Sequence, residues 1–363
     1  MKREIGIFIK LSSIGLIGAV IFQSTPAWAH VKWFSKFSFA DKPWTLHQAM
    51  DSTFWWLLAL SAVCIGLLVA LDYKISTAPW TRKLTIWLEG YKGYSTTIMR
   101  LGAGSVLLLS FQAGTLFAPE LSCSSMIGWV QFILALLLLF NRTVIISGAG
   151  FIALYIYGVT QFGWFHMLDY PIFAGAGYYL IVSTMRDEKI KATGLVMLYI
   201  TVGFSLAWVA IEKLLYPQWG LYLLQQNPHL ALGLNLKFFL TSTAFIEISL
   251  GYLLMICLLQ RSVALVITCV FFLTTLVFGK TEVIGHTIIH ASLIVFLIEG
   301  AGKVYTAPID WHKRLMLRVA FACINFILLV FCLLVSYQNL AMAKYEATIK
   351  SPLLTRISQN QPH

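Results

Sequence analysis

Residues 193–215 read Thr193-Gly-Leu-Val-Met-Leu-Tyr-Ile-Thr-Val-Gly-Phe-Ser-Leu-Ala-Trp-Val-Ala-Ile-Glu-Lys-Leu-Leu215. The only charged side chains of this run, Glu212 and Lys213, fall among its last four residues. At about 1.5 Å per residue, a helix of this length covers the roughly 30 Å of a bilayer's hydrocarbon core. Lipid offers backbone groups no hydrogen-bond partners, so a spanning segment is a helix or a strand of a closed barrel. Barrel strands alternate polar and apolar residues, and this run does not.

Nine further runs read the same way, near 52–71, 97–117, 124–140, 143–161, 167–184, 238–258, 262–278, 286–302 and 315–337. The expected fold is therefore an all-α polytopic membrane helical bundle of about ten transmembrane helices. Composition agrees. Of 363 residues, 59% are hydrophobic and 11% charged, against roughly 25% charged in soluble domains. Mean hydropathy is +0.79. The net charge of +11 would suggest nucleic-acid binding in a soluble chain. Here the basic residues lie singly between apolar runs and read as topology signals, so the expected partner is the lipid bilayer and no nucleic acid. Of six Cys, five lie in apolar runs without CxxC spacing and Cys123 falls between runs; no disulfide framework is expected.

Residues 1–29 have the form of a cleavable signal peptide: basic Lys2, Arg3 and Lys10, a short apolar core over 11–22, and a terminal Ala-x-Ala ending at Ala29. The segment after it starts outside the cytoplasm. Ten crossings then place 14 of the remaining 23 basic residues on the cytoplasmic side, among them Arg82, Lys83, Lys92, Arg142 and Arg261. Leader and loop charge agree on an inner-membrane protein with both termini periplasmic. The expected order is a periplasmic segment 30–51, a first helix and cytoplasmic linker 52–96, four-helix units at 97–184 and 194–302, and a last helix and tail at 303–363. The linker mixes Trp80, Trp87, Tyr91 and Tyr94 with Lys and Arg, which suits a membrane surface.

The two four-helix units share landmarks. The first run of each ends in Pro (Pro119, Pro217), and an amide followed by Arg marks each inner turn (Asn141-Arg142, Gln260-Arg261). A His opens each fourth run, His166 at 24 residues after Arg142 and His286 at 25 after Arg261. A duplication in shared orientation follows, as in parallel repeats.

The second unit resembles the DoxX-like membrane proteins. The matching stretches are Gly203 to Pro217, Phe245-Ile-Glu-Ile-Ser-Leu-Gly251, and Gly285-His286. The resemblance covers about 194–302 and implies a four-helix bundle. It points to a class that includes the membrane subunit of a thiosulfate:quinone oxidoreductase and anchors of redox complexes. The first unit departs from it, with Gly114-Thr115 standing where Glu212-Lys213 do, so a site is expected in the second.

The candidates for chemistry are Glu212, Lys213, Glu247 and His286, with Glu282, His286 and His290 as cofactor-binding candidates. Ionisable groups inside a membrane are costly and usually face a cavity, partner or pathway. His286 and His290 are four apart and share a helix face. Three readings stay open at this point: a quinone or small-molecule pocket with His286 or Glu212 handling protons, a metal pair on the two His, and salt-bridged helix packing. Separately, cleavage at Ala29 would expose His30, whose amine and imidazole suit Cu(II), with His47 or His229 completing the site. Glu299 is expected to pair with Lys303. The expected function is a membrane component of a redox system, quinone-linked and served by a partner protein. Its rivals are a copper-handling protein and a transporter or membrane anchor.

Overall fold

The computed structural model describes residues 31–35, 37–76, 78–302 and 308–359. Their regular structure is helical: α1 Val31–Phe34, α2 Leu46–Ala49, α3 Ser52–Ser76, α4 Pro79–Glu89, α5 Ser95–Ala113, α6 Ser125–Leu137, α7 Val144–Phe162, α8 Trp164–Met167, α9 Pro171–Ser183, α10 Glu188–Leu215, α11 Pro217–Gln226, α12 Leu236–Met255, α13 Gln260–Phe278, α14 Lys280–Glu299 and α15 Leu315–Gln359. Six segments are long and apolar enough to cross a membrane: Ser52–Asp72, Asn141–Phe162, Glu188–Leu215, Leu236–Met255, Lys280–Glu299 and Leu315–Lys350. Ser125–Leu137, Pro171–Ser183 and Gln260–Leu273 are apolar but shorter. Many large apolar side chains, such as Trp56, Leu67, Ile146 and Leu273, face outward, as a lipid-facing surface requires.

Local chemistry sets the helix ends. Pro217 supplies no N–H, so α10 closes at Leu215 and α11 starts with Pro at its first position. Asp187 caps α10 by accepting the Lys189 N–H at 2.8 Å, and Asn235 caps α12 through the N–H groups of Lys237 and Phe238. Between the expected spans 193–215 and 238–258, the chain is largely ordered into α11 and a 3₁₀ turn at Pro228–Ala231. The last span and tail form one continuous helix, α15.

The two His landmarks do not both open a helix. His166 sits in the separate turn α8, because Pro171 prevents that turn from running into α9. His286 lies well inside α14, which has no proline and starts at Lys280.

Packing repeats between the two sets of four helices. In the first set α5 packs on α6, α6 on α7, and α7 on α9; in the second α10 packs on α12, α12 on α13, and α13 on α14. Helix α9 packs on α10 and α14 on α5, so the outer members of each set meet those of the other. Helices α5, α9, α10 and α14 form the centre, and α3 and α15 pack against the second set from outside. Both junctions use a glycine for close approach. A Cβ on Gly102 would fall 2.1 Å from Ala291 Cβ, and one on Gly175 would fall 2.1 Å from Thr201 Oγ1.

Candidate functional site

The N-terminal segment, rather than a transmembrane helix, supplies the centre of the site. Lys32 on α1 is buried, 3% exposed. Its Nζ lies 2.7 Å from Asp169 Oδ2 and 2.6 Å from Glu212 Oε2. Asp169 sits between α8 and α9, and Glu212 in the last turn of α10, so one ammonium ties the two helix sets together. The Tyr337 hydroxyl of α15 donates to Glu212 Oε2 at 3.1 Å. Burial alone would pull the Lys32 ammonium down, but Asp169 and Glu212 outweigh it and hold it above the usual lysine range. One cation and two carboxylates sum formally to −1. Asp169 Oδ1 and Glu212 Oε1 find no hydrogen-bond partner among the described residues.

The next residue fixes the segment sideways. Trp33 lies on Gly285 of α14, where a Cβ would fall 1.8 Å from Trp33 Cη2. Its Nε1 donates to the Tyr170 hydroxyl at 3.0 Å, and Tyr170 donates in turn to Glu120. His166 Nε2 approaches Glu120 Oε1 at 3.5 Å. Phe37 and Phe39 close over His166 with ring centroids at 5.7 and 5.6 Å. Further along, the Trp44 N–H donates to the Leu215 carbonyl at 2.8 Å, and Trp219 Nε1 to Asp41 at 2.7 Å.

In the second set, His286 Nδ1 lies 2.6 Å from Glu282 Oε2 one turn earlier on α14. Phe271 of α13 stacks on the imidazole, with centroids 4.1 Å apart and planes within 8°. The Trp33 ring lies 5.0 Å away at a tilt. Lys213 pairs with Glu247 across α10 and α12. These groups border one cavity of about 110 Å³, whose walls include Trp33, Asp169, Tyr170, Lys213, Glu247, Glu282 and His286 beside Phe173 and Phe271. Ser205 lines it too, buried and with its hydroxyl unpartnered among the described residues.

Lys213, Glu247, Glu282 and His286 thus share a cavity. Glu212 does not pair with Lys213. Adjacent residues on a helix point about 100° apart, so Glu212 turns inward to Lys32 and Lys213 turns to Glu247. His290 stays outside the cavity wall and packs beside Phe271 and Phe272 at 6.0 and 5.1 Å. Among the described residues no three His, Cys, Asp or Glu side chains are grouped to hold a metal. His47 is exposed on α2, and His30 lies outside the described residues, as do residues 1–29, read above as a signal peptide, and Lys303. Glu299 accepts from Ser95 Oγ at 2.6 Å.

Sequence reading missed Lys32, Trp33, Glu120, Asp169, Tyr170 and Tyr337. Only Lys32 carried a signal, as a basic residue three positions after Ala29, the expected cleavage point; nothing local marks its partners. Compared with known proteins, the chain matches no family model, no curated protein and no solved structure.

Proposed function

We propose that this chain is an inner-membrane component of a redox system, built from a duplicated four-helix unit, that holds the ring of a quinone-type molecule beside His286 at the periplasmic side. The carrying observation is the Glu282–His286 pair, stacked on Phe271 at the wall of the cavity. Its volume is of the same order as the roughly 150 Å³ of an apolar cavity that accepts benzene. Trp33, Tyr170, Phe173 and Phe271 make several walls aromatic, and Asp169, Lys213, Glu247, Glu282 and His286 bring ionisable groups to the others. The resemblance of 194–302 to DoxX-like proteins belongs to the same proposal.

A bound quinone would supply two-electron chemistry with proton uptake at its oxygens. The chain's own residues do the rest. Phe271 sets the plane of the imidazole. Glu282 engages Nδ1 and so orients the ring, leaving Nε2 as its second hydrogen-bonding atom. Trp33 and Tyr170 close the cavity toward the N-terminal segment. Asp169 and Ser205 offer it unsatisfied polar atoms, which a ligand hydroxyl or water would satisfy. Electrons pass to or from a partner protein.

The test is equilibrium binding of a short-chain benzoquinone to the full chain in detergent. His286→Ala and Glu282→Gln are each expected to weaken binding more than about tenfold, the value of a hydrogen bond involving a charged group. Unchanged binding in both variants would sink the proposal. One observation favours a second reading: a polar cavity at the junction of two similarly oriented helix sets also suits a transporter. Solute uptake into proteoliposomes without any quinone requirement would favour that reading. The copper reading rests on His30, which lies outside the described residues, and its companions His47 and His229 are exposed.

A further inference from the structure

At the opposite end of the bundle from the cavity lies a larger cleft of about 980 Å³, between α4 and the turns that join α12 to α13 and follow α14. Four basic side chains line it: Arg82 and Lys83 on α4, Lys92 after it, and Arg261 at the start of α13. Three acids line it as well, and each is engaged. Glu89 pairs with Lys92 at 3.0 Å, Glu299 accepts from Ser95 at 2.6 Å, and Asp72 accepts the Leu259 N–H and faces Arg318. Arg261 spends its nitrogens on the Leu297 and Ile298 carbonyls and on Thr85 Oγ1. Arg82, Lys83 and Arg261 make no carboxylate ion pair within 4 Å among the described residues, although Glu89 and Glu299 act on Arg261 from further away.

The helix that carries two of these cations is built inside out for water. Thr81, Thr85 and Leu88, at i, i+4 and i+7, are its half-buried positions, and the Arg261–Thr85 bond ties this face to the bundle. Leu84, Ile86 and Trp87 are exposed, and Tyr91 and Tyr94 continue the exposed aromatic surface. A short helix with exposed apolar and basic side chains at a bundle end is the form of an element lying in the membrane interface. A basic pocket opening beside such a helix suits an anionic lipid head group.

We infer that the cleft bounded by Arg82, Lys83 and Arg261 binds the phosphate head group of an anionic phospholipid, with the acyl chains running over Leu84, Ile86 and Trp87. This is independent of what the cavity around His286 holds. The cations balance the phosphate, and the exposed apolar row favours a lipid over a soluble anion.

The experiment is binding of dioleoyl phosphatidylglycerol, against phosphatidylcholine of the same chains, to the full-length protein in detergent. The expected result is a preference for phosphatidylglycerol that disappears at about 1 M salt, where charges beyond ~3 Å are screened. Arg82→Gln with Lys83→Gln should lower phosphatidylglycerol affinity about 25-fold, fivefold per cation, leaving phosphatidylcholine binding and thermal unfolding unchanged. Equal affinity of the unaltered protein for both lipids at low salt would overturn the inference, whatever the variants do. So would full retention of phosphatidylglycerol by a folded double variant. Displacement by inorganic phosphate at comparable concentration would show a site for free anions and overturn the lipid assignment.

Discussion

His166 and His286 follow Arg142 and Arg261 at nearly the same sequence spacing, yet their surroundings differ. Each lies near a carboxylate, Glu120 in one case and Glu282 in the other. His166 stands in a turn isolated by Pro171 and is closed over by Phe37 and Phe39. His286 stands inside an unbroken helix, stacks on Phe271 and borders the cavity. The N-terminal segment makes the difference. It fills the space beside the first His with phenylalanines and puts a single Trp beside the second. One helix set thus seats the strap, and the other borders the cavity.

The largest expected effect comes from the charge that joins the two sides. Lys32→Met leaves Asp169 and Glu212 buried without their cation and should cost about 3–5 kcal/mol, measured by unfolding in detergent micelles. A loss below about 1 kcal/mol would mean the strap contributes little to holding the sets together.

Gly285→Ala comes next. Its Cβ would meet the Trp33 ring, and overpacking of this kind costs about 1–3 kcal/mol. Hydrogen exchange over residues 31–44 should speed up while the helices of the first set keep their protection. An unchanged exchange pattern would show that Trp33 is not seated on α14.

The two histidines can be compared directly. His286→Ala should weaken quinone-analogue binding about tenfold or more, and His166→Ala should leave it within about twofold. Equal losses would erase the distinction between the two histidines.

The smallest effect lies at the rim. Burial would raise the Asp51 carboxyl, but hydrogen bonds from Lys237 and the Phe54 N–H win and hold it below its ordinary range. Its contribution is present above the unfolded carboxylate value and is lost as pH falls through the depressed folded one. Because Asp51 is partly exposed and its Lys237 partner more so, Asp51→Asn should change stability by less than about 1 kcal/mol near neutrality. The gap between variant and parent should close on acidification, which an unfolding series over pH would reveal.

The helices themselves were legible, because the length and apolarity of a run are properties of consecutive residues. Each expected span corresponds to a helix, although α6, α9 and the apolar part of α13 are short and only six segments have the length and composition of a full crossing. The candidates Lys213, Glu247, Glu282 and His286 were legible too, since charge in an apolar run is conspicuous. Their pairings were less so. Glu212 and Lys213 look like a pair on paper, and the 100° step of the helix sends them to different partners.

Sequence alone determined which segments leave water, where proline and capping residues stop them, and which rare ionisable groups they carry. Each of these follows from residues within a few positions of one another. Tertiary structure decided that Lys32 meets Asp169 and Glu212, 137 and 180 residues further along, and that Trp33 rests on a glycine of α14. It also decided that one of two matching histidines borders a cavity. The physical reason is range. Hydrophobicity and backbone hydrogen bonding act along the chain, whereas a buried ion cluster exists only where packing removes water from groups that sequence keeps apart.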